Sequence, residues 1–170
     1  MYSTLGFELV NIKHPKESKY SSAIGYGRTF IWGKKNYLFS VRGQYGREMI
    51  LFSKRDEQGI RINAQLAAGP SIGLQVPYYL KYSRNNRMEI ENFDPNTQTF
   101  NNVIGSASFF EGLGELKIKP GINIKAAVNF EFSPSKSATA LEVGFLGDFY
   151  PGGVNIMPTA REYSFYPTAF

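Results

Sequence analysis

No cysteine occurs in the 170 residues, which excludes disulfides and thiolate metal sites. His14 is the single histidine, so no paired-imidazole metal site is possible, and no strand-borne serine is spaced to build a Ser-His-Asp arrangement around it. It falls in a polar connection beside Pro15 and Lys16 and reads as a solvated turn residue. No apolar run approaches the roughly 18 residues of a spanning helix, so a helical membrane protein is excluded while a barrel of alternating strands is not. Clustered positive charge is also missing. The net charge of +5 comes from Lys and Arg scattered along strands and turns, so no nucleic-acid partner is expected. Pro151-Gly152-Gly153 lacks the Lys-Ser/Thr of a phosphate-binding loop. Asp94-Pro95-Asn96 offers too few acidic groups for a Ca²⁺ site. No cofactor is expected. Met1-Tyr2-Ser3-Thr4-Leu5 shows no basic segment followed by an apolar one, so no signal peptide is visible. Either the protein is intracellular or the chain is a mature or truncated form, and Leu5, already inside a strand pattern, favours truncation.

What is present is aromatic and alternating. Fourteen Phe and eleven Tyr form a heavy load that suits a β protein. The stretch Tyr37–Tyr82 holds two long arms around the charged turn Arg55-Asp56-Glu57-Gln58-Gly59. Phe39, Val41, Gly43 and Tyr45 alternate with Ser40, Arg42 and Gln44. Ile60, Ile62, Ala64, Leu66 and Ala68 alternate with Arg61, Asn63, Gln65 and Ala67. Period 2 on both arms predicts an antiparallel hairpin, each arm far longer than the usual strand of about 5–6 residues. Gly69-Pro70 predicts a distortion within the second arm.

Other strands follow the same logic. Residues 2–12 place Leu5, Phe7 and Leu9 opposite Thr4, Gly6 and Glu8. Residues 26–33 read as a short second strand, and Lys34-Lys35-Asn36 as a tight turn. Residues 83–112 are polar, weakly periodic and far longer than a typical connection of about 4–6 residues, so they read as a long functional loop. Residues 117–132 place Ile122, Ile124, Ala126, Val128, Phe130 and Phe132 on one face. A turn at Ser133–Ser137 precedes a strand over 138–150, where Leu141, Val143, Phe145 and Phe149 oppose Glu142, Gly144 and Asp148, and Leu146 breaks the pattern. Residues 162–170 begin a last strand. No repeat, linker or second domain is visible, so 1–170 reads as one domain.

The predicted fold is all-β: an antiparallel up-and-down transmembrane β-barrel, eight-stranded when complete, with about seven strands visible. Alternation alone does not say which face points outward. Three features favour apolar-out. The polar face mixes small residues (Gly6, Ala67, Gly69, Ala127, Gly144) with opposed charges that can pair in a narrow interior: Glu8, Arg42, Arg61, Lys125, Glu131, Glu142 and Asp148. Aromatics gather near predicted strand ends, at Trp32, Tyr78, Tyr79, Tyr82, Phe149 and Tyr150, like the girdles of membrane barrels. The six alternating apolar residues from Ile122 to Phe132 suffice to cross a hydrocarbon layer about 25 Å tall. The lipid-facing set is then Leu5, Phe7, Leu9, Val41, Ile62, Ile124, Val128, Phe130, Leu141 and Val143. Strand alternation would put Lys13–Gly25 and Arg55–Gly59 on one side of the membrane and Ser83–Gly112 and Pro151–Arg161 on the other.

Several segments also carry a resemblance. His14-Pro15-Lys16-Glu17, Arg42-Gly43-Gln44-Tyr45-Gly46-Arg47, Ala68-Gly69-Pro70-Ser71-Ile72-Gly73-Leu74, Phe109-Phe110-Glu111-Gly112-Leu113, Lys119-Pro120-Gly121, Asn129-Phe130-Glu131-Phe132 and Ala140-Leu141-Glu142-Val143-Gly144 fall in an order that resembles a family of small outer-membrane β-barrel proteins of Bacteroidota-type bacteria. The resemblance covers nearly the whole chain. It implies an eight-stranded barrel behind a signal peptide and an outer-membrane location. It transfers no catalytic residues. Functions in that family are mostly unassigned, and some small barrels of such bacteria serve as accessory subunits of outer-membrane machines, including the type IX secretion apparatus. Against that pattern the chain lacks the signal peptide, the first strand and the end of the last strand.

The functional expectation is a non-enzymatic structural or accessory subunit, with outer-membrane lipid and envelope proteins as partners. Two rivals remain. A lipid-modifying enzyme on the same barrel would need His14 bonded to a carboxylate at the rim. A soluble lipocalin-like carrier would line its cavity with Ile124 and Val128.

Overall fold

A computed structural model describes residues 2–24, 27–53, 60–84, 87–96, 98–132, 139–158 and 162–170. Strands take up 72% of it, which makes the chain all-β, and every sheet is antiparallel. The main sheet has six strands: β1 (Tyr2–Ile12), β4 (Asn36–Ser53), β5 (Ile60–Pro77), β9 (Lys117–Phe132), β10 (Thr139–Val154) and β11 (Tyr163–Ala169), in the order β1-β4-β5-β9-β10-β11. The two arms predicted around Arg55–Gly59 are β4 and β5, each 18 residues long. The turns at Arg55–Gly59 and Ser133–Ser137 lie outside the described residues.

The expected distortion at Gly69-Pro70 takes a specific form. The ladder from β5 to β9 runs unbroken through Gly69↔Asn123 and Pro70↔Ile122. Toward β4 the pairing passes from Arg42↔Ser71 directly to Tyr45↔Ala68. Proline has no N–H for the β4 side, so backbone carbonyls are freed there. The buried Asn123 amide fills the gap, sharing its N–H groups among the carbonyls of Gly43 (3.2 Å), Gly69 (3.1 Å) and Pro70 (3.0 Å).

The main sheet is strongly curled. Neighbouring strands lie about 4.8 Å apart, so residues on β4 and β10, three strands apart, would be about 14 Å apart in a flat sheet. Yet the Ser40 hydroxyl lies 3.3 Å from Asp148 Oδ1, and the Tyr150 hydroxyl 2.6 Å from Ser40 Oγ. The concave face therefore encloses a narrow interior. No closed barrel forms among the described residues, because β1 pairs only with β4 and β11 only with β10. The two free edges face each other across a cleft of about 560 Å³, lined on one side by Val10–Pro15 and on the other by Tyr163 and Phe165–Thr168.

The two ends of the sheet are unlike. Ile60, Phe132 and Thr139 mark one end of the sheet, the turn end. The described residues of 13–35, 78–116 and 155–162 lie at the opposite end. This corrects the expected topology. The segment 26–33 is not a wall strand, so Lys13–Gly25 shares an end with Ser83–Gly112 and not with Arg55–Gly59. In its place β2 (Lys19–Ser21) and β3 (Thr29–Ile31) form a small ribbon. Six wall strands result, where about seven were expected.

The 83–112 stretch is also more ordered than a loop. β6 (Tyr79–Arg84), β7 (Arg87–Asn92) and β8 (Val103–Ser106) form a second sheet in the order β7-β6-β8, and short 3-10 turns cover Phe100–Asn102 and Phe109–Glu115. This sheet and the ribbon share one core of Phe30, Tyr78, Leu80, Tyr82, Phe93 and Val103. Trp32 meets Phe93 edge-on at 4.9 Å. These elements form a cap on the main sheet. Of the six aromatics expected in interfacial girdles, Trp32, Tyr78 and Tyr82 instead build the cap core, Tyr79 lies on the second sheet, and Tyr150 is fully buried in the interior. Phe149 alone points outward from the main sheet.

Candidate functional site

The burial pattern of the main sheet is inverted relative to a protein with a greasy core. On β4, Ser40, Arg42 and Gln44 are buried, while Tyr45 is 60% exposed. On β9, Asn123 is buried between Ile122 and Ile124, which are 58% and 51% exposed. Leu5, Phe7 and Leu9 on β1, and Leu141 and Val143 on β10, are likewise exposed. Val41, Ile62, Val128 and Phe130 share that outer face and are half-buried there. Ile124 and Val128 therefore line no internal cavity.

The seven charged residues read as lumenal separate into two groups. In the first, Arg42 is central. Its Nε donates to Asp148 Oδ1 (3.0 Å) and Oδ2 (3.1 Å), its Nη2 also meets Asp148 Oδ2, and its Nη1 reaches Glu8 Oε2 at 3.3 Å. Lys125 Nζ lies 2.8 Å from Glu142 Oε1 and 4.0 Å from Glu8 Oε1, which joins β1, β4, β9 and β10 in one network. Arg42 and Asp148 are buried, Glu8 and Lys125 partly so, and Glu142 opens to solvent. The second group is nearer the turn end. Arg61 Nη1 lies 3.7 Å from Glu131 Oε2, and Asn63 bridges them by accepting from Arg61 Nε and donating to Glu131, each at 3.2 Å. Both charged side chains of that pair are more than a third exposed, so it contributes little to stability.

The polar face read from the sequence also carries uncharged members in the interior, and Tyr150, expected in a girdle, joins them. Tyr150 OH donates to Ser40 Oγ, which in turn donates to Asp148. Ser40, Asn63, Ser71, Asn123 and Gln44 are all buried on this face. Their signal was strand parity, since each shares the register of a named charge. Toward the cap, Leu38, Tyr150, Val154, Ile156, Met157 and Tyr166 close over the charges as an apolar plug. Leu146, the apolar residue that breaks the hydropathy alternation of β10, sits on the inward face beside Lys125 and is buried.

His14 is not a solvated turn residue. It is buried, its Nδ1 accepts from the Lys16 N–H at 3.1 Å, and its Nε2 makes no hydrogen bond among the described residues. Glu17 accepts from the His14 backbone N–H and not from the ring. The ring stacks obliquely on Tyr163 at 5.8 Å, at the cap end of the cleft between β1 and β11. The Glu17 carboxylate also receives the buried Lys34 ammonium at 2.8 Å. Burial holds Lys34 below the ordinary lysine pKa, against the opposing pull of Glu17. Burial raises the phenol pKa of Tyr78 and of Tyr82 in the cap. Asp94 Oδ1 accepts from the Asn96 N–H at 2.9 Å, forming a local turn, and no group of three metal-ligating side chains exists among the described residues. Chemically the interior can bind its own strands together, because each of Arg42, Arg61 and Lys125 is paired with a carboxylate from another strand. Comparison with family models, with curated proteins and with solved structures finds no match for this chain.

Proposed function

We propose that the chain forms the wall of an integral outer-membrane β-barrel and acts as a non-enzymatic structural or accessory subunit that engages other envelope proteins through its cap. One observation carries this reading: the outward face of a curled sheet is apolar and exposed, while the inward face carries the paired charges and buries Arg42, Asp148, Asn63 and Asn123. In water the arrangement would be backwards, since soluble monomers rarely expose contiguous apolar patches beyond a few hundred Å². Against acyl chains it is the expected order. The strand lengths agree, because β4, β5, β9 and β10 each exceed the roughly 9–11 residues that a tilted membrane strand needs. Membrane barrels keep short turns on the periplasmic side and long segments outside, which would make the cap extracellular. The resemblance to small Bacteroidota-type barrels points the same way. A soluble carrier is disfavoured by the outward position of Ile124 and Val128.

Ile72→Arg tests this reading. Ile72 is outward and exposed on β5, three outward positions toward the cap from Leu66, the cross-strand partner of Arg47. An arginine facing the hydrocarbon there costs up to about 2–4 kcal/mol. Outer-membrane recovery and heat-modifiable gel mobility should both fall sharply for this variant. Recovery of the unmodified protein as a detergent-free soluble monomer, with Ile72→Arg behaving identically, would sink the proposal.

A further inference from the structure

The outward face of the main sheet carries a single charged residue among those described. Along β4 the outward positions run Tyr37, Phe39, Val41, Gly43, Tyr45, Arg47 and Met49, and the outward positions of β1, β5, β9, β10 and β11 hold no Asp, Glu, Lys or Arg. Arg47 is exposed and makes no ion pair or hydrogen bond with any described residue. Its cross-strand partners are Ser3 on β1 and Leu66 on β5, neither of which can neutralise it.

Arg47 also lines a groove of about 630 Å³ on the same wall. Its floor lies where side chains are small, at Ala68 and Ala126, and it is walled by Tyr45, Leu66, Ile124 and Phe145. The backbone beneath it is already paired from β4 through β5 and β9 to β10. An added strand would therefore find no free N–H or C=O there, and an occupant must bind through apolar contact plus one anionic group. These two features are independent of each other, and both describe an amphiphile with a negatively charged head.

We infer that the groove binds one phospholipid, with an acyl chain along Ala68 and Ala126 and the phosphate on the Arg47 guanidinium. This rests on the proposed lipid-facing orientation of the wall. A guanidinium suits the role because its planar fork matches phosphate oxygens and its stem can lie along apolar surface.

The test uses the full chain refolded in detergent, with retained lipid counted by native mass spectrometry during titration. The probes are phosphatidylglycerol and a phosphate-free glycosyl diacylglycerol with the same acyl chains. The expected result is one tightly held phosphatidylglycerol and weaker retention of the phosphate-free lipid. Arg47→Gln should weaken phosphatidylglycerol retention about fivefold, the usual effect of one basic side chain near an anionic lipid surface. Ala126→Phe, which fills the groove and keeps Arg47, should also lose the lipid, while Lys19→Gln on the distant ribbon should not. Equal retention by Arg47→Gln and wild type, or equal retention of both lipids, overturns the inference. Vesicle flotation of the same samples separates the two readings. Flotation without Arg47-dependent lipid overturns the site alone, whereas failure of the wild type to float overturns the site together with the wall orientation.

Discussion

Replacing Asp148 by Asn tests whether the interior charges hold the sheet in its curl. The carboxylate has no solvent exposure and accepts from three groups that originate on β4: Arg42 Nε, Arg42 Nη2 and Ser40 Oγ. Asparagine keeps the shape and removes the charge, leaving Arg42, 4% exposed, with Glu8 as its remaining anionic partner at 3.3 Å. Breaking a buried pair from one side costs about 3–5 kcal/mol, because the remaining charge stays desolvated. Glu8 is one-third exposed at its side chain, so it offsets part of this, and a loss of about 3 kcal/mol is the expected result. Replacing both partners, as Arg42→Met with Asp148→Leu, leaves no orphaned charge and should cost much less than either single change. The assay is denaturant unfolding of the refolded protein in detergent, followed by tyrosine and tryptophan fluorescence, on wild type, Asp148→Asn, Arg42→Met, Asp148→Leu and the double variant. A loss below about 1 kcal/mol for Asp148→Asn would place the pair in solvent. Additive losses in the double variant would show that the two groups do not interact. Either result would refute an interior held closed by this network.

Two further outcomes follow from the cleft and the cap. The absence of native cysteine allows a clean cross-linking test: Val10→Cys with Thr168→Cys, both lining the β1–β11 cleft, should form a disulfide slowly or not at all if added strands separate these edges, whereas Leu146→Cys with Thr168→Cys, directly paired on β10 and β11, should cross-link readily on non-reducing gels. Rapid bonding of the first pair would mean that the edges close on each other. Cap stability should fall as pH rises above 10, because burial raises the folded pKa of Tyr78 and Tyr82 above the unfolded value near 10, so the stability present at lower pH is lost as the unfolded phenols ionise. Lys34 contributes with the opposite sign, since its lowered pKa makes its burial less costly as pH rises toward the ordinary lysine value. Phenolate absorbance during alkaline titration checks this, and full ionisation of these tyrosines in a still-folded cap would contradict it.

Strand parity made the wall legible in the sequence, and it failed where short segments leave the wall. Residues 2–12, the two arms of β4–β5, and residues 117–132 were readable because long alternation has one structural solution. The polar parity of β4 and β9 likewise located Arg42 and Lys125 before any contact was known. YGRTFIWG over 26–33 alternates too, but Gly27 (φ 78°) and Gly33 (φ 77°) turn the chain at either end of it, so Thr29–Ile31 folds into the ribbon. Once that segment leaves the wall, every later loop changes its expected side. The cap core was hidden for a different reason. Phe30, Tyr82, Phe93 and Val103 meet only in three dimensions, and no periodicity links them. His14 was misread because its burial depends on Tyr163, nearly 150 residues away in sequence.

The interior argues against conduction as the task of this fold. A pore needs a continuous polar path, and here the path is blocked twice. Arg42, Asp148, Glu8, Lys125 and Glu142 span it as an ion-paired layer, with Ser40 and Tyr150 hydrogen-bonded into it. Above that layer Leu38, Tyr150, Val154, Ile156, Met157 and Tyr166 pack together, all buried. An ion crossing the layer would have to break a desolvated pair and then enter an apolar region, and each step is unfavourable by several kcal/mol. On the proposed reading, recognition would fall to the outer wall, the β1–β11 cleft and the cap. The cap presents Met88 and Ile90 on β7 as exposed apolar side chains outside the wall. If the cap docks an envelope partner, Met88→Lys with Ile90→Lys should abolish co-purification of that partner while leaving insertion and heat-modifiable mobility intact. Loss of insertion in the same variant would instead make those residues part of the fold.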